Sequence, residues 1–244
     1  MMGRNFHRTA LYLQFGNLTI IPCQEIVRSI FLRLALTLAI SLSAASAKAE
    51  ATFPDGAGPQ SLVFEIRRHG DVIGSHALSF RQIHGRTEAT IDISVKVTVF
   101  TLVAYRFEQH GTEIWDGGKL KSLTIDTDDN GDVFKVVTTA SGGKLKAVVN
   151  GEATEYESMP LATLWRPAPL NSTRLLDPTD GKPSKITISD LGEETIAVRG
   201  KSIQARHWRW DGDLKRNLWF DSTGMLVQVH IKGDDGSDIY YILK

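Results

Sequence analysis

From Ser61 to the end of the chain, apolar and polar residues alternate in short blocks divided by turn signals. The clearest block is Ile91-Asp-Ile-Ser-Val-Lys-Val-Thr-Val99. Ile91, Ile93, Val95, Val97 and Val99 share one face, and Asp92, Ser94, Lys96 and Thr98 share the other. A helix does not keep that period of two, so the segment reads as a half-buried strand. Similar blocks run over Leu62–Arg68, Val72–Gln82, Tyr105–Asp116, Lys119–Thr127, Val133–Ala140 and Lys144–Val149. Gly117-Gly118, Asn130-Gly131, Gly142-Gly143 and Asn150-Gly151 lie between blocks and supply the positive φ that tight hairpins require.

The rhythm breaks over residues 159–183, MPLATLWRPAPLNSTRLLDPTDGKP, with five prolines in 25 residues. This reads as a long crossing loop with a helical turn around Leu161–Trp165. Strand character resumes at Lys185–Ser189, Glu194–Val198, Ser202–Trp210, Lys215–Asp221, Met225–Lys232 and Ile239–Leu243. The pattern predicts an all-β, mainly antiparallel domain over residues 61–244. Its expected form is a single curved sheet, or half-barrel meander, with the Pro-rich loop across its concave side.

Ahead of this domain the pattern changes. In VRSIFLRLALTLAISLSAASAKAEA, Arg28 and Arg33 precede an apolar run from Leu34 to Leu42, and small residues follow. Residues 27–49 read as a secretory signal peptide with a signal helix, cleaved after Ala47 or Ala49, because the run is short for a membrane span and ends in small-x-small sites. Residues 1–26 stand before the basic start of that signal, as though initiation were assigned too far upstream. Residues 50–60 read as a flexible mature N-terminus. A periplasmic or secreted location follows, with membrane contact only through the signal peptide before cleavage.

Charge alters the picture once the leader is set aside. The whole chain carries 28 Lys and Arg against 28 Asp and Glu. Residues 1–49 hold five of the bases and one of the acids, leaving 23 against 27 and a formal charge of −4. Nucleic acid is an unfavoured partner for such a chain, since phosphate binding needs a clustered basic surface. Cys23 is the sole cysteine and lies in the leader. The remainder can have no disulfide framework or thiol chemistry.

Motifs that would carry chemistry are incomplete. Asp126, Asp128, Asn130 and Asp132, in IDTDDNGDV, match the opening of a calcium loop. Val137 falls where the bidentate Glu is needed, and strand-like residues flank the loop, so a hairpin tip is the stronger reading. His69, His76, His84, His110, His207 and His230 are scattered singly, without metal-ligand spacing. Ser141 and Lys144 form a Ser-x-x-Lys within a Gly-Gly turn, and no nucleophile elbow is present. No cofactor or catalytic residue is expected. Trp208, Trp210 and Trp219 cluster in RHWRWDGDLKRNLWFDSTG, with Trp208 and Trp210 on one face across a hairpin from Trp219. With Trp115 and Trp165 they either fill a core or line a concave apolar pocket, the core being the stronger reading.

An ordered set of short motifs resembles a known family. Phe64-Glu65-Ile66 is followed by Gly70 and Ile73-Gly74, then by Leu164-Trp165 in the Pro-rich loop and Leu-Leu-Asp-Pro-Thr-Asp-Gly at 175–181. After these come Leu191-Gly192-Glu193-Glu194, then Leu218-Trp219-Phe220-Asp221 with Gly224 and Leu226-Val227, and finally Asp235-Gly236-Ser237 with Ile239, Tyr241 and Leu243. Together they resemble an uncharacterised family of exported proteobacterial β-rich domains of unknown function. The resemblance implies an exported β protein, distantly similar in architecture to lipoprotein-carrier folds, and it carries no catalytic residue. The expected function is binding of an apolar or amphiphilic envelope ligand, a lipid or lipoprotein, without catalysis. The alternatives are a structural or protein-interaction module of the envelope and an unidentified hydrolase.

Overall fold

A computed structural model describes residues 60–244 apart from Asp234, so the leader, its signal helix and residues 50–59 lie outside the described residues. Fourteen strands follow one another in this part of the chain. The first eight are β1 (Gln60–Arg68), β2 (Asp71–Ile83), β3 (Arg86–Val99), β4 (Leu102–Asp116), β5 (Lys119–Asp129), β6 (Asp132–Ser141), β7 (Lys144–Val149) and β8 (Glu152–Glu157). The others are β9 (Arg174–Leu176), β10 (Pro183–Val198), β11 (Lys201–Gly212), β12 (Arg216–Asp221), β13 (Leu226–Lys232) and β14 (Asp238–Leu243).

All fourteen form one antiparallel sheet that does not close, in the order β8-β7-β6-β5-β4-β3-β2-β1-β14-β13-β12-β11-β10-β9. Two meanders meet at the sheet centre, where β1 pairs with β14 and Phe64 stands opposite Leu243. The free edges are therefore β8 and β9, which are joined by the Pro-rich segment. That loop has to be long because it runs from one edge of the sheet to the other. The sheet rolls enough to bring those flanks together: a Cβ on Gly181, between β9 and β10, would lie 2.6 Å from Val149 Cγ2 on β7. Gly181 has φ of 70°. Glycine satisfies both the backbone conformation and the close approach.

The concave face carries the core. Phe64 on β1, Leu78 on β2, Ile91 on β3, Leu123 on β5, Val136 on β6, Leu218 on β12 and Val229 on β13 are buried on strands paired in register. Eight connections are two-residue turns, and in seven of them the second residue is a glycine with positive φ. His69-Gly70 and Asn150-Gly151 are examples in which both central residues have positive φ, as the twist of paired strands favours. Phe100-Thr101, between β3 and β4, is the exception.

Three features depart from the sequence reading. The region around Leu161–Trp165 is not a helical turn: Leu161 forms an isolated parallel bridge to Leu176, and bends follow it. The prolines, and the backbone bonds from Ala162 N to Leu176 O and from Leu176 N to Pro160 O, hold this segment extended along β9. The segments 185–189 and 194–198 are one strand, β10, because a bulge between Asp190 and Gly192 absorbs the break in alternation. β8 and β9 were not expected from the pattern.

Candidate functional site

The Pro-rich loop drives Trp165 into the concave face. Its ring stands edge-on to Trp115 at 5.7 Å between centroids and lies 5.1 Å from Phe80. Both indole Nε1 groups donate to the same carboxylate oxygen, Glu113 Oε2, each at 2.8 Å. Arg166 places its guanidinium carbon 4.4 Å over the Trp115 ring, a cation–π arrangement. Glu113 lies on the inner face of β4 in the series Phe107, Gln109, Gly111, Glu113 and Trp115, opposite Ala89 and Leu123. Only 1% of it is exposed. Burial raises its pKa to about 7, against the hydrogen bonds from Trp115, Trp165 and Thr163 and the charge of Arg166.

Glu113 and Trp165 form one end of a cavity of about 90 Å³. Its apolar walls come from Leu78, Ile91, Ile93, Phe107, Ile125 and Leu214. Polar groups converge on it from distant parts of the chain: His76 from β2, Gln109 from β4, Asp177 from the turn after β9, Arg216 from β12 and Tyr241 from β14. The roll of the sheet brings them together, with β12–β14 on one side and β2–β5 on the other.

The electrostatic state of these groups follows from burial. His76 is 2% exposed, and neither ring nitrogen has a hydrogen-bond partner among the described residues. Phe64 and Tyr241 rings lie 5.9 and 5.8 Å from it. Desolvation lowers its pKa to about 3, so the ring is neutral at physiological pH. Asp177 is raised, chiefly by burial and against its bonds to Thr179 and the charge of Arg216. Tyr241 is raised by burial, with Arg216 opposing.

Of the five tryptophans singled out from the sequence, Trp165 lines this cavity and Trp115 packs behind it through Glu113. The hairpin cluster is arranged differently from the expectation. Trp208 pairs with Leu218 and Trp210 with Arg216, while Trp219 pairs with His207. Trp219 therefore projects from the face opposite to Trp208 and Trp210. It stacks on His207 at 4.3 Å and donates to Glu194. The loop between β11 and β12 runs over residues 213–215, and turn length sets the register of a hairpin.

Asp126, Asp128, Asn130 and Asp132 form the β5–β6 hairpin end. Asn130 has φ of 54°, and Asp128 Oδ1 accepts from Gly131 N at 2.8 Å. Asp126 faces Lys135 at 3.9 Å. Among the described residues no group of three His, Cys, Asp or Glu side chains is placed to hold a metal ion.

Sequence reasoning passed over His76, Gln109, Glu113, Asp177, Arg216 and Tyr241. They come from separate strands and turns, and no local spacing links them. The one available signal was polar residues at core-facing parity, as in β4, where Gln109 and Glu113 alternate with exposed His110 and half-buried Thr112.

A family comparison bears on this architecture. The model described as "Domain of unknown function (DUF6134)" matches residues 64–244. The chain belongs to that family. No curated protein matches. Among solved structures, the chain is similar to the crystal structure of a β-barrel-like protein of the domain of unknown function DUF1849 from Brucella abortus. The two share 9% identity with a TM-score of 0.55, over 77% of this chain and 96% of that one. At that identity the likeness concerns the fold alone. This DUF6134 member is thus a β-rich domain with a rolled, unclosed sheet, and its cavity residues owe nothing to the comparison.

Proposed function

We propose that the inner cavity binds a small amphiphilic ligand, or the terminal group of a larger one, without catalysis and in the cell envelope. The observation that carries this reading is the His76 imidazole, buried with both nitrogens unpartnered in a cavity whose other walls mix apolar and polar side chains. An unpaired polar group in such a place costs about 1–3 kcal/mol, an expense that a hydrogen-bonding ligand offsets. Apolar walls with a few convergent polar groups are the usual composition of a small-molecule site.

Size narrows the ligand. A cavity of about 90 Å³ is smaller than the cavities of about 150 Å³ that take up benzene. It is also well below the range of roughly 300–1,000 Å³ that encloses drug-sized molecules. A whole acyl chain exceeds it, so the lipid expected from the sequence is reduced to a terminal group or replaced by a smaller molecule. The chain reaches the envelope, in this reading, through its leader. N-terminal sequencing of the periplasmic protein should then begin at Lys48 or Glu50.

The reading is tested by native mass spectrometry of the protein purified without detergent, followed by denaturing extraction, and by ¹⁵N NMR of the His76 ring during titration with 1-propanol and propionate. A near-stoichiometric extracted molecule, or a saturable shift of the His76 nitrogens, supports it. An apo mass with no shift from either probe overturns it.

One observation favours a second reading, acid–base chemistry: Glu113 sits at the cavity with a pKa near neutrality. Its Oε2 already accepts from two indoles, which is the arrangement of a structural acceptor. Strand addition at an edge, as for an interaction module, is opposed at β8 by Glu152, Glu155 and Glu157, since charges along an edge discourage further pairing.

A further inference from the structure

The end of the β3–β4 hairpin is more apolar and more exposed than any other turn of the sheet. Phe100 is 99% exposed, Leu102 74%, Val103 52% and Val99 49%. Flanking strands leave this end uncovered: β2 pairs with β3 only as far as Val95, and β5 pairs with β4 only from Phe107. Val97 and Tyr105 still pack against the core, so residues 98–104 project beyond it, Phe100 standing roughly 10 Å past Val97 at about 3.3 Å per residue. Tyr105 anchors the base, its hydroxyl donating to Asp129 at 2.8 Å.

The turn itself breaks the local rule followed elsewhere. Phe100 has φ of 56° and no glycine follows it, whereas the other seven two-residue turns place glycine second. An aromatic in the left-handed region is disfavoured and gains nothing from packing here. A violated local preference without structural return points to a role outside the fold.

The directions of the side chains select the partner. Val99 and Leu102 form a cross-strand pair on one face, Val103 pairs with Thr98 on the other, and Phe100 caps the tip. Apolar groups on both faces and at the end cannot all be covered by a flat protein surface, whereas lipid can surround them. Two pairs behind Thr98 and Val103, past Val97 and Tyr105, Lys96 and Arg106 stand opposite each other, both exposed. Arg106 also donates to Glu108 at 3.3 Å. Asp128, Asp129 and Asp132 are the nearby acids of the β5–β6 hairpin end; Asp128 accepts from Gly131 N and Asp129 from the Tyr105 hydroxyl. Apolar tip followed by a cationic pair is the order met by a segment entering a bilayer interface, with acyl chains first and phosphates behind.

From this arrangement we infer that the β3–β4 hairpin is a membrane-inserting wedge, with Val99, Phe100, Leu102 and Val103 entering the interface of a lipid bilayer and Lys96 and Arg106 at phosphate depth. The inference is independent of the cavity. It also adds a membrane contact on the folded domain to the one expected of the leader.

The test uses the full chain and vesicles of phosphatidylcholine, with and without phosphatidylglycerol. Phe100→Trp adds an indole at the tip, and its emission, taken as the difference from wild type, is read against brominated lipids. Quenching and a blue shift of that added emission are expected, stronger with phosphatidylglycerol. Phe100→Asn, whose side chain suits positive φ, should leave the fold intact with an unchanged or higher Tm while weakening vesicle partition about tenfold or more, the loss of one buried aromatic. Absence of quenching in Phe100→Trp overturns the inference, as does undiminished partition of Phe100→Asn. So does a concentration-dependent dimer, seen by sedimentation without vesicle binding and abolished by Phe100→Asn, which would give the wedge to a second copy.

Discussion

The inner cavity and the β3–β4 tip reverse the usual distribution of residues. At the cavity the sheet buries an imidazole, a carboxyl group and a phenol; at the tip it exposes four large apolar side chains. Both lie along the same pair of strands, since β3 and β4 supply Ile91, Ile93, Phe107, Gln109 and Glu113 to the cavity and Val99 to Val103 to the tip. Alternation continues along β3, while a bulge on β4 between Tyr105 and Val103 shifts the register at the base of the tip. What differs is whether the opposite wall of the rolled sheet is present to cover the inner face. Where it is, polar groups are buried against it; past Val97 and Tyr105 it is not, and the two strands deliver hydrophobic side chains to the surroundings.

Truncating an aromatic in each region gives the sharpest contrast. Trp165→Ala removes the plug, its contacts with Phe80 and Trp115, and one of the two indole donors to Glu113. A loss of about 4 kcal/mol is expected in urea unfolding. Phe100→Ala at the tip should change stability by less than about 0.5 kcal/mol. Equal effects at both sites would break the comparison.

Titration of the interior separates its two ionisable ends. His76 stays neutral in the fold down to about pH 3 but protonates near 6.5 when unfolded. Its contribution is therefore present above pH 6.5 and lost as pH falls, by about 3 kcal/mol between pH 6.5 and 4. Glu113 behaves oppositely. Its folded pKa of about 7 exceeds the ordinary 4.5, so stability is full below pH 4.5 and falls by about 3 kcal/mol as pH rises to 7. Between pH 4.5 and 6.5 the two slopes oppose each other. His76→Leu should uncover the Glu113 decline, and Glu113→Gln the His76 decline, in denaturation midpoints followed across pH 4–8. Two variants with the pH profile of the wild type would show that these groups are not dry.

A change of opposite sign belongs to the tip. Phe100→Asn should stabilise the domain by about 1 kcal/mol by relieving an aromatic from positive φ, measured as a rise in Tm. A fall in Tm would mean that Phe100 has packing partners.

How much of this was legible depended on whether local pattern carried the information. Ile91–Val99 announced β3 because its inner face is uniformly branched and apolar. β8, with Glu152, Glu155 and Glu157 in six residues, gave no alternation to read; its backbone pairs with β7 at the sheet edge, where side chains need no core. Asp190 and Gly192 looked like the end of a strand and proved to be a bulge within β10. On β4, the core-facing Gln109, Gly111 and Glu113 concealed the inner face behind polar letters. The tip was visible as an apolar string, Val-Phe-Thr-Leu-Val, but its exposure was not, because strand patterns do not state where neighbouring strands stop.

By itself the sequence determined the antiparallel strands, most of the hairpin turns and the crossing loop, all of which rest on interactions between residues near one another in the chain. Membership of the DUF6134 family was likewise carried by ordered motifs along it. Tertiary structure alone decided that β1 pairs with β14, that Trp165 reaches Glu113, and that His76, Arg216 and Tyr241 share a cavity. These are meetings of residues up to 179 positions apart, from Leu243 back to Phe64. They follow from how far the sheet twists and rolls, a property summed over fourteen strands that no single segment encodes.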